Sequence, residues 1–504
     1  MAKQLVSSPL ENLGINGLNT QYNPATLDPA WLTSADNIMI RESGRISFRK
    51  GLKQKVVPSG VAIGSMVEHN DQGTNKIFAS HGTSIYTMDF TSPNAAFPSS
   101  GADVKHTVGS TTGNWQFVNF NNRLHCFHTG VIPQRYDGSL GSGAKWTAHA
   151  TDPASITTLF DPSCGMGFYG RLWVGGVTEA PDVVFYSVLL DGDDWTGTGT
   201  GFIDLKTVWG TDEIVHIAAF FGKLVIFGKN NIAIYDTPDD ATNMSLNEVV
   251  SGVGLVNRDT VQAIGDDLVF LSSTGLRSLN RTTEKDKLPL IDYSVNIKDT
   301  LIRNIGQSTE VKSVYLVNEG VYLLTFTAKN ITYAFDFKQF TPNETPRVTT
   351  WSFDTDREPA SMIDTKLYSG LLVGQKDGSI AGYEGYFDTD LAWVSSAASY
   401  TYASYTADIS SIWIKLGEGI AAILKRMVLV LEGGSGAVMG LRWFKDFSPS
   451  SSTTTYINLR PVTTGTTSLW GAATSLYGAS TSTYAPVYGL REYKTPLSGS
   501  AKHV

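Results

Sequence analysis

Cysteine is nearly absent from this chain: Cys126 and Cys164 are the only two in 504 residues. An isolated pair 38 residues apart is no disulfide framework, and two buried free thiols made in a reducing compartment are the expectation. Charge is sparse too, at 17% of residues, and the balance is acidic, with 39 Lys and Arg against 47 Asp and Glu. A net charge of −8 argues against a tight, static binder of nucleic acid, which needs clustered cations to displace counterions. An acidic wall along which DNA slides is not excluded by that balance. No run approaches the ~18 apolar residues of a membrane span, so no membrane insertion is expected. The opening MAKQLVSSPLENLG has no apolar core of a signal peptide, so no export signal is expected.

Nucleotide chemistry is missing as well. The glycine strings GTGTG (197–201) and GGSGAVMG (433–440) lack the strand-to-helix setting of a dinucleotide site, and GxxxxGK[ST] and GxSxG do not occur. In LHCFHTG, alternation along a strand puts Cys126 and His128 on one face and His125 on the other, a poor zinc set. Asp191, Asp193 and Asp194 resemble the start of a calcium loop, but the twelfth position is Phe202, so a solvated turn is expected. No catalytic group, metal site or cofactor is therefore expected, and the chain reads as non-enzymatic.

Glycine (49), Ser, Thr and aromatics (11 Trp, 21 Tyr, 23 Phe) are plentiful, and they come in a repeat. Seven times between Asn75 and Gly385 an apolar run, a short turn and a second run ending in Tyr, Asp or Asn recur. Examples are KIFAS-HGT-SIYTMD, LVIFG-KNN-IAIYD and LVFLS-STG-LRSLN. A period of about 40–50 residues built from short strands is the signature of a β-propeller. Another apolar segment precedes five of the hairpins, as in WQFVNF before NNR and VHIAAFF before GK. Three strands per repeat register, with a fourth expected at the polar outer edge. The fold class is therefore all-β, a propeller of about seven blades, with six or eight left open, and a smaller β-rich module from the termini.

The chain divides into an N-terminal assembly segment (1–57), the propeller (58–392) and a C-terminal β module (393–504) ending in a Ser/Thr/Gly-rich tail. Within the first, Asp28 and Pro29 suggest a capped helix over Pro29–Ile38, and RISFRK reads as a strand with one wet face. The connections 190–212, 237–250 and 281–310 are expected as projecting loops. Arg45, Arg49 and Lys50, with Lys53 and Lys55, form the one dense cationic stretch. It reads as a solvated strand face or, functionally, as an assembly interface or a channel contact with phosphate.

Three segments resemble a known family. GINGLNTQYNPATLDPAWLTSADNIMIRESGRISFRKG (14–51) is similar in order to the N-terminus of tail nozzle proteins of short-tailed bacteriophages, also called tail tubular protein B or packaged-DNA stabilisation proteins. The helix positions would be Pro29, Ala35 and Asn37, and the strand positions Gly44, Arg45, Ile46, Arg49 and Gly51. SGVGLVNRDTVQAIGDDLVFLSSTGLRSLN (251–280) is similar to a blade of that family, and WIKLGEGIAAILKRMVLVLEGG with LRWFKDFS to the module after the propeller. The resemblance implies a virion protein assembled in the host cytoplasm, a homohexameric tail ring below the portal and its adaptor. That ring would carry fibres or a tip and retain, then eject, double-stranded DNA. The competing class is a carbohydrate-binding or glycan-cleaving propeller, for which Trp146, Trp195 and Trp351 would supply sugar-stacking faces.

Overall fold

The computed structural model describes residues 9–41, 43–88, 105–107, 113–141, 144–241, 243–279, 292–308, 310–368, 370–384, 389–394, 399–415, 422–423, 425–431, 438–459, 491–497, 500–501 and 504. Every one of the seven repeats is an antiparallel hairpin. Thr74–His81 pairs with Ser84–Met88, Arg123–His128 with Val131–Tyr136, and Arg171–Gly175 with Val183–Tyr186. Lys223–Gly228 pairs with Asn231–Asp236, Asp267–Ser272 with Gly275–Ser278, Val321–Phe326 with Ile331–Phe340, and Gly370–Gln375 with Ile380–Gly382.

Among the described residues these hairpins belong to seven successive sheets, here sheets 1 to 7. The apolar segment before each hairpin is the innermost strand. The expected fourth strand is present in most, for example Trp146–Ala148 in sheet 2 and Ser245–Ser251 in sheet 4. Sheet 5, Gln262–Ser278, has three strands.

Seven apolar clusters lie between consecutive sheets, which is how a propeller buries strands on both faces. Phe78 and Ile85 meet Leu124 and Tyr136 between sheets 1 and 2, and Phe227 meets Phe270 between sheets 4 and 5. Ile63 and Ile77 meet Leu372 and Ile380, so sheet 7 closes onto sheet 1. The fold is an all-β propeller.

The tight turns explain themselves. Asn121–Asn122, Tyr169–Gly170, Phe221–Gly222 and Gln72–Gly73 all have positive φ at both residues, the type I′ geometry whose twist matches two-residue hairpins.

The N-terminal segment departs from expectation. Trp31–Asp36 is a strand, not a helix. It runs parallel to Gly17–Leu18 and antiparallel to Asp408–Ser411, extending sheet 6 beyond Pro346–Trp351. The cap signals at Asp28 and Pro29 are local, and the hydrogen bonds offered by an open sheet edge outweigh them. Lys53–Val56 is the strand that completes sheet 7 on Ile380–Gly382, so Gly17–Leu18, Trp31–Asp36 and Lys53–Val56 of the N-terminal segment all pair with propeller strands. Ile46–Phe48 is a strand as read, paired with Ile38–Ile40.

The chain forms two compact units: residues 1–22 with Ala30–Ser411, and Asn23–Pro29 with Ile412–Val504. The second begins about 20 residues later than the composition change suggests, and its described strands form two-stranded ladders, such as Arg426–Leu431 with Arg491–Pro496. Much of the Ser/Thr/Gly-rich tail falls outside the described residues. All three of the expected loops carry regular structure: Gly201–Asp204 and Ser245–Ser251 are strands and Lys298–Ile305 a helix. No helix among the described residues is long and apolar enough to cross a membrane.

Candidate functional site at the strand tips

Of the three basic residues singled out in the sequence, Arg49 is fully buried. Its Nε donates to Asn37 Oδ1 (3.0 Å), Nη1 to the Lys50 carbonyl (3.0 Å) and Nη2 to the Ser352 carbonyl (3.3 Å), and Nη1 pairs with Asp390 (3.3 Å). The guanidinium lies over the rings of Tyr405 (3.9 Å) and Phe353 (4.9 Å). A cation enclosed this way touches neither a neighbouring chain nor phosphate, so the interface reading fails for Arg49. Alternation made it look like a wet-face residue, but Asp390, Tyr405 and Ser352 come from 300 or more residues away. Lys50 is half-buried and donates to Glu319 (2.9 Å), while Arg45 is exposed.

The axis is crossed by the protein's own side chains. The turn Asn257–Thr260 reaches from sheet 5 to segments entering sheets 1, 2, 3 and 6. Asp259 accepts from Asn114 Nδ2 (2.6 Å) and Lys312 Nζ (2.8 Å), and Ser65 donates to Asn114 Oδ1 (3.0 Å). Arg258 donates to the carbonyls of Asn114 and Ser163. Burial alone would raise the Asp259 carboxyl, but Lys312 and Arg258 hold it well below the usual carboxylate range. The cluster satisfies itself and ties five sheets together.

On the opposite side of sheets 2 and 3, the loop Val188–Thr200 straps one sheet to the next. It is not the solvated turn expected of LLDGDDWTG. Asp193 is buried and pairs with Arg123 (3.1 Å) and Arg135. Trp195 Nε1 donates to His149 Nδ1 (3.2 Å), and His149 Nε2 lies 3.0 Å from His125 Nδ1. Asp193 Oδ1 is 3.7 Å from His149 Nε2, so two imidazoles and a carboxylate converge.

Spacing alone would suit a metal, but the hydrogen bonds argue otherwise. An indole can only donate, so His149 Nδ1 accepts and its Nε2 carries the proton that His125 Nδ1 takes up. That proton occupies the lone pair a metal would need, and Arg123 and Arg135 oppose a further cation. Burial, with Arg123 and Arg135, lowers His125 to about 3, and burial with His125 and Arg135 takes His149 well below its usual value. Both rings are neutral at pH 7. Gly192 fits here because any side chain would run into the His125 ring, 2.8 Å away. Cys126, on the other face of its strand, is buried and free like Cys164.

The strap's tip is exposed. Leu189 and Leu190 are 55% and 60% accessible, beside Tyr169 (48%) and Phe221 (64%) at the hairpin tips of sheets 3 and 4. The group is contiguous: Leu190 N donates to the Gly170 carbonyl (2.6 Å) and Asn121 Nδ2 to the Leu190 carbonyl (2.6 Å). The Tyr169 hydroxyl lies 3.4 Å from where a Gly222 side chain would start. Tyr169, Leu190 and Phe221 all have positive φ (45°, 60° and 46°), rare for bulky residues. The sequence carried a signal for two of them, an aromatic directly before the tip glycine in FYGR and FFGK. For Leu190, His149 and Trp195 it carried none.

Of the tryptophans named for sugar stacking, two are buried and the third is half-buried. Trp195 and Trp351 are 3% and 1% accessible, and Trp146 is stacked on His106 at 4.8 Å.

No family model and no curated protein matches this chain. Among solved structures, the WD40 domain of Neurospora crassa Pan2 aligns at 7% identity and a TM-score of 0.42, over 67% of this chain and 98% of that one.

Proposed function

We propose that this chain is a structural protein of a short phage tail, the nozzle ring that continues the DNA channel below portal and adaptor. In this reading it is not an enzyme; it helps to retain the packaged genome and then to release it. The observation that carries the reading is a propeller tied together across its axis by its own side chains, with apolar tips left exposed. Asn114, Arg258, Asp259 and Lys312 bond to one another across the axis, whereas Tyr169, Leu190 and Phe221 stand in water. Such a body suits assembly, with DNA running between copies rather than through the disc. The resemblance of residues 14–51 to nozzle proteins supports the same reading. In this fold that segment supplies Gly17–Leu18 and Trp31–Asp36, which extend sheet 6.

Quantitative peptide mass spectrometry of purified particles, scaled to the portal protein, tests the proposal. About half as many copies as a twelve-subunit portal is the expected result. Absence from the particle would end it.

A further inference from the structure

The exposed tips and the charge of the two units point to a specific mate. Residues 23–29 and 412–504 carry nine Lys and Arg against five Asp and Glu, a net of +4. The remainder of the chain therefore holds 30 against 42, a net of −12. The sign reverses between the two units of one polypeptide, and that asymmetry favours association of unlike units.

Each unit also exposes apolar surface. On the propeller, Tyr169, Leu189, Leu190 and Phe221 form one patch. With side chains of roughly 150–250 Å² each for aromatics, these four leave on the order of 400 Å² open, the size of the largest apolar patch on a typical monomer, which is often functional. Its rim is charged with an acidic excess: Asp191 is 3.7 Å from Arg123 and Lys223 pairs with Asp236 (3.0 Å), while Asp239 and Asp240 lie in the exposed loop of sheet 4 on the same side of the disc as the Phe221–Gly222 tip. In the second unit, Val428 and Val430 are 45% and 60% accessible on one face of their strand. Register places Lys494 opposite Val428 and Glu492 opposite Val430, with Lys494 3.9 Å from Glu492. Arg426 is exposed beside them, so cations outnumber the one acid on this face. An apolar knob with a rim of acidic excess thus has, in the same chain, an apolar strand face on which Arg426 and Lys494 outnumber Glu492.

We propose that the tip patch of one copy docks on the Arg426–Leu431 strand face of a second copy. Two different surfaces meet, so the contact is head-to-tail, and repetition by a closing rotation makes a ring. The inference rests on the ring proposed above and names the surfaces that close it. Strain at Tyr169 and Phe221 fits this role, because backbone held in a costly conformation persists where an aromatic must be presented.

The test uses the full chain. Oligomer mass is measured by sedimentation and mass photometry for wild type, Phe221→Asp, Val430→Glu and the reversal Asp191→Lys with Asp239→Lys. Each variant is expected to weaken self-association at least tenfold with an unchanged circular dichroism spectrum. The second reversal Arg426→Glu with Lys494→Glu, mixed with the first, is expected to restore assembly. Cross-links between isotopically labelled and unlabelled copies are expected to join Lys223 or Asp240 to Lys425 or Lys494. A wild-type oligomer that all three variants leave intact would overturn these surfaces and spare the ring. A wild-type chain that stays monomeric at high concentration would overturn both. Assembly lost in each variant but not restored by the mixed reversals would overturn the charge pairing and hence this mate.

Discussion

The strand Lys223–Gly228 in the propeller and the strand Arg426–Leu431 in the second unit are both six residues long and rich in Val, Leu and Ile. The first is buried at all but its opening lysine. The second alternates exposed and half-buried along its whole length, and its described ladder has a single partner. Composition does not separate them; company does. In the propeller every sheet is sandwiched between two others, so each side chain finds a neighbour within the chain. A two-stranded ladder has no such neighbours and is marginal alone in water. One unit thus covers its strands internally and exposes apolar groups at its tips, whereas the other leaves a strand face uncovered.

The largest expected break in that contrast comes from the propeller's closure. Arg49→Met removes the cation that Asp390 faces and leaves a buried carboxylate uncompensated, which costs about 3–5 kcal/mol. Lys425→Met, on the exposed edge of the second unit, should move stability by no more than about 0.5 kcal/mol. Urea unfolding followed by tryptophan fluorescence would show the two midpoints. Equal shifts would mean that Arg49 does not hold the closing segments together.

Acid sharpens the contrast next. Seven of the eight histidines lie in the propeller, and only His503 lies in the second unit. His125 is lowered to about 3 and His216 to about 4, both chiefly by burial. A histidine whose folded value lies below its unfolded value of about 6.5 contributes stability above that pH. The contribution is lost as pH falls toward the folded value, because only the unfolded chain takes up the proton. Between pH 7 and 5 each such ring should cost about 2 kcal/mol. Asp193, raised by burial, acts in the opposite direction, but only near the carboxylate range. Hydrogen exchange at pH 7 and 5, corrected for intrinsic rates, should show protection falling in Lys223–Gly228 and little change in Arg426–Leu431. His125→Gln should flatten the propeller's slope. A slope unchanged in that variant would remove His125 from the account.

How much of this was readable in advance follows the same division. The hairpins were legible because turn chemistry and unbroken apolar runs are local properties: GK and NNR demand positive φ, and LVIFG demands cover on both faces. What was hidden depends on distant partners. Trp31–Asp36 looks like a capped helix until the edge of Pro346–Trp351 is beside it. Arg49 looks wet until Asn37, Asp390 and Tyr405 enclose it. The pairing of Trp195 with His149 spans 46 residues, and no spacing rule reports it. The acidic turn was misread for the same reason, since the guanidinium groups that bury Asp193 sit on another sheet.

The smallest expected effect is the most discriminating, because it separates folding from docking at one residue. Phe221 holds φ of +46° while 64% of the residue lies in water. An aromatic side chain there adds strain to the folded chain and gains little burial within it. Asparagine tolerates the left-handed region far better. Phe221→Asn should therefore stabilise the isolated propeller, by about 0.5–1 kcal/mol, seen as a rise of a few degrees in melting temperature. The same substitution should weaken self-association if the tip is presented to a second copy. A variant both less stable and fully able to assemble would mean that Phe221 serves the internal packing of sheet 4. Its exposure would then be incidental. Opposite signs in the two measurements are what a residue kept for a partner must give.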